Sequence, residues 1–344
     1  MKTKNRIISL MLAFCMLLFC GCSAKKEVKT ASGVEFIMNT FVEQRWFGEN
    51  AQQTYDEIVS ALKSLESKLS LYVDNSEISE LNSAAGKHPV ALSDDCYFLL
   101  KEAVGYCEQS GGLFDITIAP LTLVWGITDT EPEIPTDDEI AAAQELVNYK
   151  NIIFDDSAKT VMLAQEGMSI DLGGIAKGMA AGAMRQYAEK NDSEGFLSIG
   201  GNMMVRGKKP DGGDFVIGIR DPRGEANEFI ATVTLDGFTM ATTGDYERFF
   251  EQDGVRYHHV LDPFTGRPSD SDLISVTVIS ENGTLADCLS TSIFLQGSKA
   301  LDKYITRDDC MIVVVTKEKE VYASAALKDR LNVNTQKTDY KFHI

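Results

Sequence analysis

The chain has 344 residues, 44% of them hydrophobic, with 51 acidic against 33 basic side chains. That length buries a sizeable core in one large or two modest domains. The formal net charge of −18 argues against nucleic acid as a partner, and any anionic ligand must be met by local cations, a metal or backbone N–H groups.

The N-terminus does not read as part of the fold. MKTKNR is a basic n-region and IISLMLAFCMLLF an apolar h-region, the pattern of a secretory signal. It closes on LLFCGCS, where Cys22 follows small Gly21 while Cys20 follows bulky Phe19. This end resembles a bacterial lipobox, so residues 1–21 are expected to be a lipoprotein signal peptide, Cys22 the lipidation site and 22–34 a polar tether. A plain signal peptide or an uncleaved anchor is the alternative. Cys96, Cys107, Cys288 and Cys310 follow without CxxC spacing, which leaves disulfides or buried apolar positions.

FIMNTFVEQRWFG (36–48) alternates as a first strand. Asn50 and Gln53 then resemble a capping box, and Tyr55, Ile58, Val59, Leu62, Leu65 and Leu69 share one helical face. A loop from residue 70 leads to a short helix capped by Ser76. Ser93 caps another amphipathic helix that stops at SGG (110–112). LFDITIAPL (113–121) reads as extended, and 136–147 as a helix opened by Thr136 and Glu139. NIIFDD and TVMLA form two strands. SIDLGGIAKGMAAGAMRQYAEK (169–190) reads as a strand running into a glycine-opened helix, and 196–207 as a hairpin. FVIGIRDP, FIATVTL, FTMATTGDYERFF and SVTVIS are further strands. The helix 284–297 follows, and MIVVVTK closes the sheet. Helices crowd the first half and strands the second, which predicts an α+β fold with a helical half packed on a β-sheet half.

YHHVLDPFTGRP (257–268) sets two of the four histidines side by side. Asp253-Gly254 upstream is a hairpin signal, so His258 and His259 are expected on a short returning strand, facing opposite ways. At most one of them can serve a given site. Glycines at the 169–190 junction permit backbone approach to a phosphate at a helix N-terminus, with Lys177 one turn in; a glycine bend in a packed core is the bland reading. Asp287 and Thr291 are four apart on a helix. They offer hard oxygens to Mg²⁺, or are an ordinary helix-start Asp and a Thr bonded to its own helix. The aromatics around LFDITIAPL and WGITD could stack on a flat ring or simply pack.

MNT (38–40), SLYVDNSEISELN, GGLFDITIAPL, WG (125–126), IDLGGIAKG, SIGGNMMVRG, ATTGDYERFF, HVLDPFTGRP and ADCLSTSIFLQG occur in the order seen in the ApbE-like FAD:protein FMN transferases. The resemblance runs from about residue 36 to 316, with MNT where MGT is commoner and ATTGDY where ATSGDY is commoner. It implies an ApbE-like α+β domain over 35–335 with a mixed or antiparallel sheet. It also implies Mg²⁺-dependent transfer of the FMN moiety of FAD to a Thr or Ser hydroxyl of an acceptor flavoprotein, releasing AMP. By that resemblance Met38, Tyr72, Phe114, Asp115, Asp171 and Lys177 contact FAD. The same resemblance implies that Gly174 (through its carbonyl), Asp287 and Thr291 hold Mg²⁺ and that His259 is the base; strand alternation would put Val255, Tyr257 and Leu261 on its face, an apolar surround that keeps the ring neutral. A FAD pyrophosphatase giving FMN and AMP, or a non-catalytic FAD-binding lipoprotein, are the rivals. The lipobox adds an expected lipid anchor on the extracytoplasmic face of the cell membrane. Membrane redox-complex subunits with FMN-binding domains are then the expected partners.

Overall fold

The computed structural model describes residues 28–344 apart from Ala226 and Thr338, so the signal peptide and Cys22 lie outside the described residues. Strands β1 (Thr30–Ile37) and β2 (Thr40–Phe47) form one antiparallel hairpin. The single strand expected over 36–48 is broken because Met38 and Asn39 both take left-handed backbone, with φ of 57° and 54°. Two such residues make a hairpin turn whose twist matches the flanking strands. Asn tolerates that region better than most side chains, so the MNT departure from MGT keeps the turn. The expected tether is also shorter than 22–34. β1 begins at Thr30, with Ala31 buried and Gly33 so close to Tyr55 that a Cβ would meet its hydroxyl at 2.4 Å.

The polypeptide then leaves the sheet for a long insertion. Helix α1 (Ala51–Leu69) buries Ile58, Leu62 and Leu69. The capping box expected at its start is not formed, since the Asn50 amide donates instead to the Asn191 carbonyl. Helix α2 (Glu77–Ser83) is capped by Ser76, whose hydroxyl accepts from the Ser79 N–H. Helix α3 (Asp94–Gln109) follows Ser93, but that hydroxyl donates to Glu77 rather than capping. The extended reading of 113–121 gives way to turns and helix α4 (Ala119–Trp125), which Pro120 enters in its first turn, where no N–H is needed. Helix α5 (Asp137–Gln144) has the expected Thr136–Glu139 capping box. Residues 169–172 form no strand; Asp171 is tied by its N–H to the Ile116 carbonyl, and helix α6 (Ala176–Lys190) follows directly.

The chain re-enters the sheet at β3 (Glu194–Ile199) and β4 (Asn202–Arg206). It continues through β5 (Thr239–Gly244), β6 (Leu273–Ser280), β7 (Met311–Thr316), β8 (Glu320–Ala323) and β9 (Lys341–His343). Spatial order in this nine-stranded sheet follows chain order from β1 to β9. Only the last pair is parallel, so the sheet is mixed, as expected. FVIGIRDP and FIATVTL belong instead to a separate three-stranded sheet, Phe215–Arg220, Phe229–Leu235 and Leu331–Val333. That small sheet covers one face of β6 and β7. Helix α7 (Gly283–Gln296) covers the other, so both strands are buried along their whole length. Alternate residues serve the two cores: Ile312 and Val314 face the helical side, Val313 and Val315 the small sheet. This is why MIVVVTK is continuously apolar. The cysteines Cys96, Cys107, Cys288 and Cys310 are free and buried. Trp46 and Trp125 are core residues, each at or below 1% exposure.

Candidate active site

A cavity of about 590 Å³ opens where the insertion meets the sheet. Met38, Tyr72, Phe114, Asp115, Asp171, Gly174, Lys177, His259, Asp287 and Thr291 all line it. Segments separated by most of the chain are therefore brought to one place.

The closest packing in the site is between α6 and α7. A Cβ added to Gly178 would stand 2.3 Å from the Gly283 carbonyl oxygen and 2.5 Å from Asp287 Cβ. With no side chain between them, the Gly178 N–H near the start of α6 reaches Asp287 Oδ2 at 2.8 Å. Asp287 is 5% exposed, and no side-chain cation pairs with it among the described residues. Thr291, one turn along α7, shares a 3.1 Å hydroxyl contact with Thr243 of β5, which also contacts Ser290 at 2.7 Å. Gly174 lies against Phe114, where a Cβ would meet the ring edge at 3.0 Å.

The turn before α6 carries the remaining charges. Asp171 Oδ1 accepts from the Gly173 N–H at 2.7 Å, and burial raises its pKa above the usual carboxylate value. Lys177 donates to the Gly173 carbonyl. Asp115 is buried and its pKa is raised by desolvation. Its oxygens accept from the Thr117 N–H and hydroxyl and from the Tyr149 N–H, at 2.7–2.9 Å. That carboxylate braces the turn presenting Phe114, and most of its hydrogen-bonding capacity is used within the protein. Met38 is held in its strained conformation by its N–H, which donates to Glu66 Oε1 at 2.8 Å.

The paired histidines separate as the strand argument requires, but the register differs. The strand Val255–His258 pairs with Phe249–Gln252 through the Asp253-Gly254 turn and ends at His258. Strict alternation ends with it, so His259, Val260 and Leu261 all line the cavity. Val255 points to solvent, and Tyr257 stacks on Phe250 and Trp125. The apolar face expected around His259 is thus not what surrounds it. His258 is buried, edge-on to Phe294. Its Nε2 donates to the Ser269 carbonyl at 3.1 Å and its Nδ1 accepts from the Val260 N–H, so both ring nitrogens are occupied. His259 Nδ1 lies 3.3 Å from the Arg248 carbonyl. A carbonyl can only accept, so Nδ1 carries the proton and Nε2 is left with a lone pair. Burial first, then the cations Arg248 and Lys177, push the His259 pKa down to about 3. The ring's accessible surface opens into the cavity, which relieves part of that desolvation, but both effects favour the neutral ring.

A model of the ApbE family matches residues 38–314. The FAD:protein FMN transferase of Treponema pallidum is 32% identical over 92% of this chain and 93% of its own. That of Klebsiella pneumoniae is 33% identical over 80% and 86%. The crystal structure of the ApbE protein of Thermotoga maritima superposes with a TM-score of 0.81 at 34% identity, covering 88% of this chain and 99% of its own.

The chain belongs to the ApbE family. It is a transferase of α+β fold. Within this ApbE domain, sequence reasoning missed three contributors to the cavity. Arg248 was hidden inside a segment read as one continuous strand, whereas β5 ends at Gly244 and the chain turns before Phe249. The buried Asp245 between them is gripped by the two terminal guanidinium nitrogens of Arg223 at 2.7 Å. Glu66 gave no signal because it sits on an ordinary helical face. Asn202 read only as part of a hairpin.

Proposed function

We propose that this protein transfers the FMN half of FAD to a Thr or Ser hydroxyl of an acceptor flavoprotein, in a Mg²⁺-dependent reaction that releases AMP. The observation carrying this reading is His259, whose Nε2 meets no hydrogen-bond partner among the described residues, in the same cavity as the buried Asp287 that no described cation pairs; the lowered pKa of the ring favours its neutral form. A neutral imidazole takes the proton from the acceptor hydroxyl as its oxygen bonds to the FMN-side phosphorus. The bond from that phosphorus to the bridging oxygen breaks, and AMP leaves with the oxygen. Lys177 and Arg248 supply positive charge toward the pyrophosphate, and Met38, Tyr72 and Phe114 supply walls for flat rings. The open oxygen of Asp171 can accept from a ligand hydroxyl.

The donor set suits a hard cation. Asp287, Thr291 and the Gly174 carbonyl would hold Mg²⁺, which keeps water and phosphate oxygens as its other ligands. Among the described residues there is no cluster of three or more His, Cys, Asp or Glu side chains, so a site here draws on hydroxyl and carbonyl oxygens. Bound Mg²⁺ would neutralise phosphate charge that otherwise repels the incoming hydroxyl.

The test is incubation with FAD, Mg²⁺ and a candidate acceptor domain, read by in-gel flavin fluorescence and AMP release. A fluorescent acceptor band with AMP supports transfer. AMP and free FMN without a labelled acceptor mean hydrolysis, and neither product means binding alone. The lipobox-like end supports anchoring through Cys22 on the extracytoplasmic face, with membrane redox subunits as acceptors. No described helix is long and apolar enough to cross a membrane. Cys22→Ala is expected to release the protein from the membrane fraction with the activity of its soluble domain intact; persistence there would point to an uncleaved helix.

A further inference from the structure

The β1–β2 hairpin is covered on one face only. Its inner residues Ile37, Val42 and Trp46 pack with Ile58 and Leu62 of α1. Alternation puts Val34, Phe36, Phe41 and Glu43 on the other face, with Phe36 opposite Phe41 and Val34 opposite Glu43. On that side the small three-stranded sheet shields its neighbours only as far as Phe196 of β3 and Met203 of β4. β1 is the edge of the large sheet, so no strand of it lies beyond. Val34 is therefore 61% exposed, Phe36 64% and Phe41 70%, and the two rings meet edge to face at 5.6 Å. A contiguous bare apolar patch marks an interaction surface where scattered single residues do not.

The position of the patch selects its partner. Of the large apolar side chains exposed among the described residues, only Val34, Phe41 and Tyr72 also line the cavity. Val34 and Phe41 are thus both cavity wall and outer face, and the patch runs unbroken from Phe36 over the rim into the chamber that holds His259. Glu43, exposed beside them and lining the same cavity, pairs with no cation among the described residues. Transfer brings the hydroxyl of a folded protein to a phosphorus in that chamber, at a contact distance of about 3–3.5 Å, so the acceptor must rest on the rim. The three apolar side chains expose roughly 400 Å², taking about 200 Å² for a whole phenylalanine. That is about half of what each partner contributes to a stable complex, and suits a transient encounter better than a permanent dimer. Residues 22–27, CSAKKE, bring no large apolar side chain to cover the patch. They lead into β1 at Thr30, about 20 Å along the strand from Phe36, so an anchor at Cys22 pulls on the opposite end of the hairpin. We propose that the outer face of the β1–β2 hairpin is the docking surface for the acceptor flavoprotein. Phe36 and Phe41 receive apolar side chains that flank the acceptor's hydroxyl, and Glu43 accepts from an N–H or cationic group beside them. This rests on the flavin-transfer reading above.

Steady-state flavinylation by the full chain, with an extracytoplasmic FMN-binding domain of a redox subunit as acceptor, tests this through Phe36, which does not line the cavity. Phe36→Ser is expected to raise the KM for the acceptor by about 5- to 30-fold. The kcat at saturating acceptor, the FAD affinity and the melting temperature should stay as in the wild type, the last two showing that the variant is folded. Val216→Ser alters another bare side chain, on the small sheet, and should leave the acceptor KM unchanged. An unmoved acceptor KM in Phe36→Ser overturns the docking surface and leaves the transfer reading standing. A wild type that binds FAD but labels no acceptor brings down the transfer reading, and the docking surface with it. Dimerisation, or binding of the unacylated chain to phosphatidylglycerol vesicles, that Phe36→Ser abolishes while the acceptor KM stays put assigns the face to a second copy or to lipid and overturns the proposal.

Discussion

Substituting Gly178 by Ala tests the packing on which the site depends. The new methyl would lie 2.3 Å from the Gly283 carbonyl oxygen and 2.5 Å from Asp287 Cβ, and none of these atoms can swing aside. Helices α6 and α7 must separate by roughly 1 Å to restore ordinary contact, an overpacking cost of about 1–3 kcal/mol. Parting them also stretches the 2.8 Å bond from the Gly178 N–H to Asp287, a hydrogen bond to a charged group worth about 1.5–3 kcal/mol. Since relaxation will spare part of each, the expected loss is roughly 2–5 kcal/mol, or a fall in melting temperature of about 3–8 °C for a domain of this size. Scanning calorimetry of the ligand-free domain reads the stability, and a Mg²⁺ titration of FAD turnover reads the displacement of Asp287. Gly182→Ala is the internal control: its Cβ would meet the Gly283 backbone at 3.3 Å, so a much smaller loss is expected. A Gly178→Ala protein with wild-type melting and metal response would refute the close approach.

Further outcomes are expected. His259→Ala should lower FMN transfer by about 10²–10⁴-fold while FAD still binds, and His258→Ala should keep most activity but melt earlier; the reverse pattern in AMP release would mean the roles are exchanged. Asp287→Asn should raise the Mg²⁺ requirement sharply and Thr291→Ala less so, because a neutral oxygen is easier to replace with water; an unchanged titration for Asp287→Asn places the metal elsewhere. Both histidines have pKa values below 6.5 in the folded protein, so the unfolded chain binds protons that the native one does not. Stability should therefore fall as pH drops below about 6.5 and be insensitive to these groups above it; NMR titration showing His259 protonated at pH 6 in the ligand-free protein would contradict this. Arg223→Ala should cost about 3–5 kcal/mol by leaving buried Asp245 without its two-pronged partner, unless melting shows Arg256, 3.9 Å away, taking its place.

Much of this was legible from the chain alone, for reasons that differ by residue. The long helices and MIVVVTK announced themselves because burial imposes period and composition on consecutive residues. The convergence of His259, Asp287, Thr291 and Lys177 was legible through ordered resemblance, since no spacing rule joins residues so far apart. The first strand failed because two left-handed residues, Met38 and Asn39, interrupt an otherwise unbroken β pattern. LFDITIAPL failed because β-branched residues favour strand while Asp115, bonded to Thr117 and Tyr149, fixes a turn. The surroundings of His259 were misjudged because alternation holds only while the strand lasts. Asn202 left no mark: its buried amide nitrogen, without a hydrogen-bond partner among the described residues, is visible only in three dimensions.

The cavity takes its walls from the β1–β2 and β3–β4 turns, the insertion, the start of α6, the segment after β5, the residues that follow the histidine strand and α7. No one of these folds alone into a piece of binding site. Opening any of them to solvent should abolish ligand affinity, so ligand occupancy reports on the integrity of the whole domain. Conversely, each tenfold rise in ligand concentration above Kd adds about 1.4 kcal/mol to the stability of all these segments at once. A chain built this way acquires its ligand only after folding is complete. If it is exported unfolded, it must be loaded where it arrives.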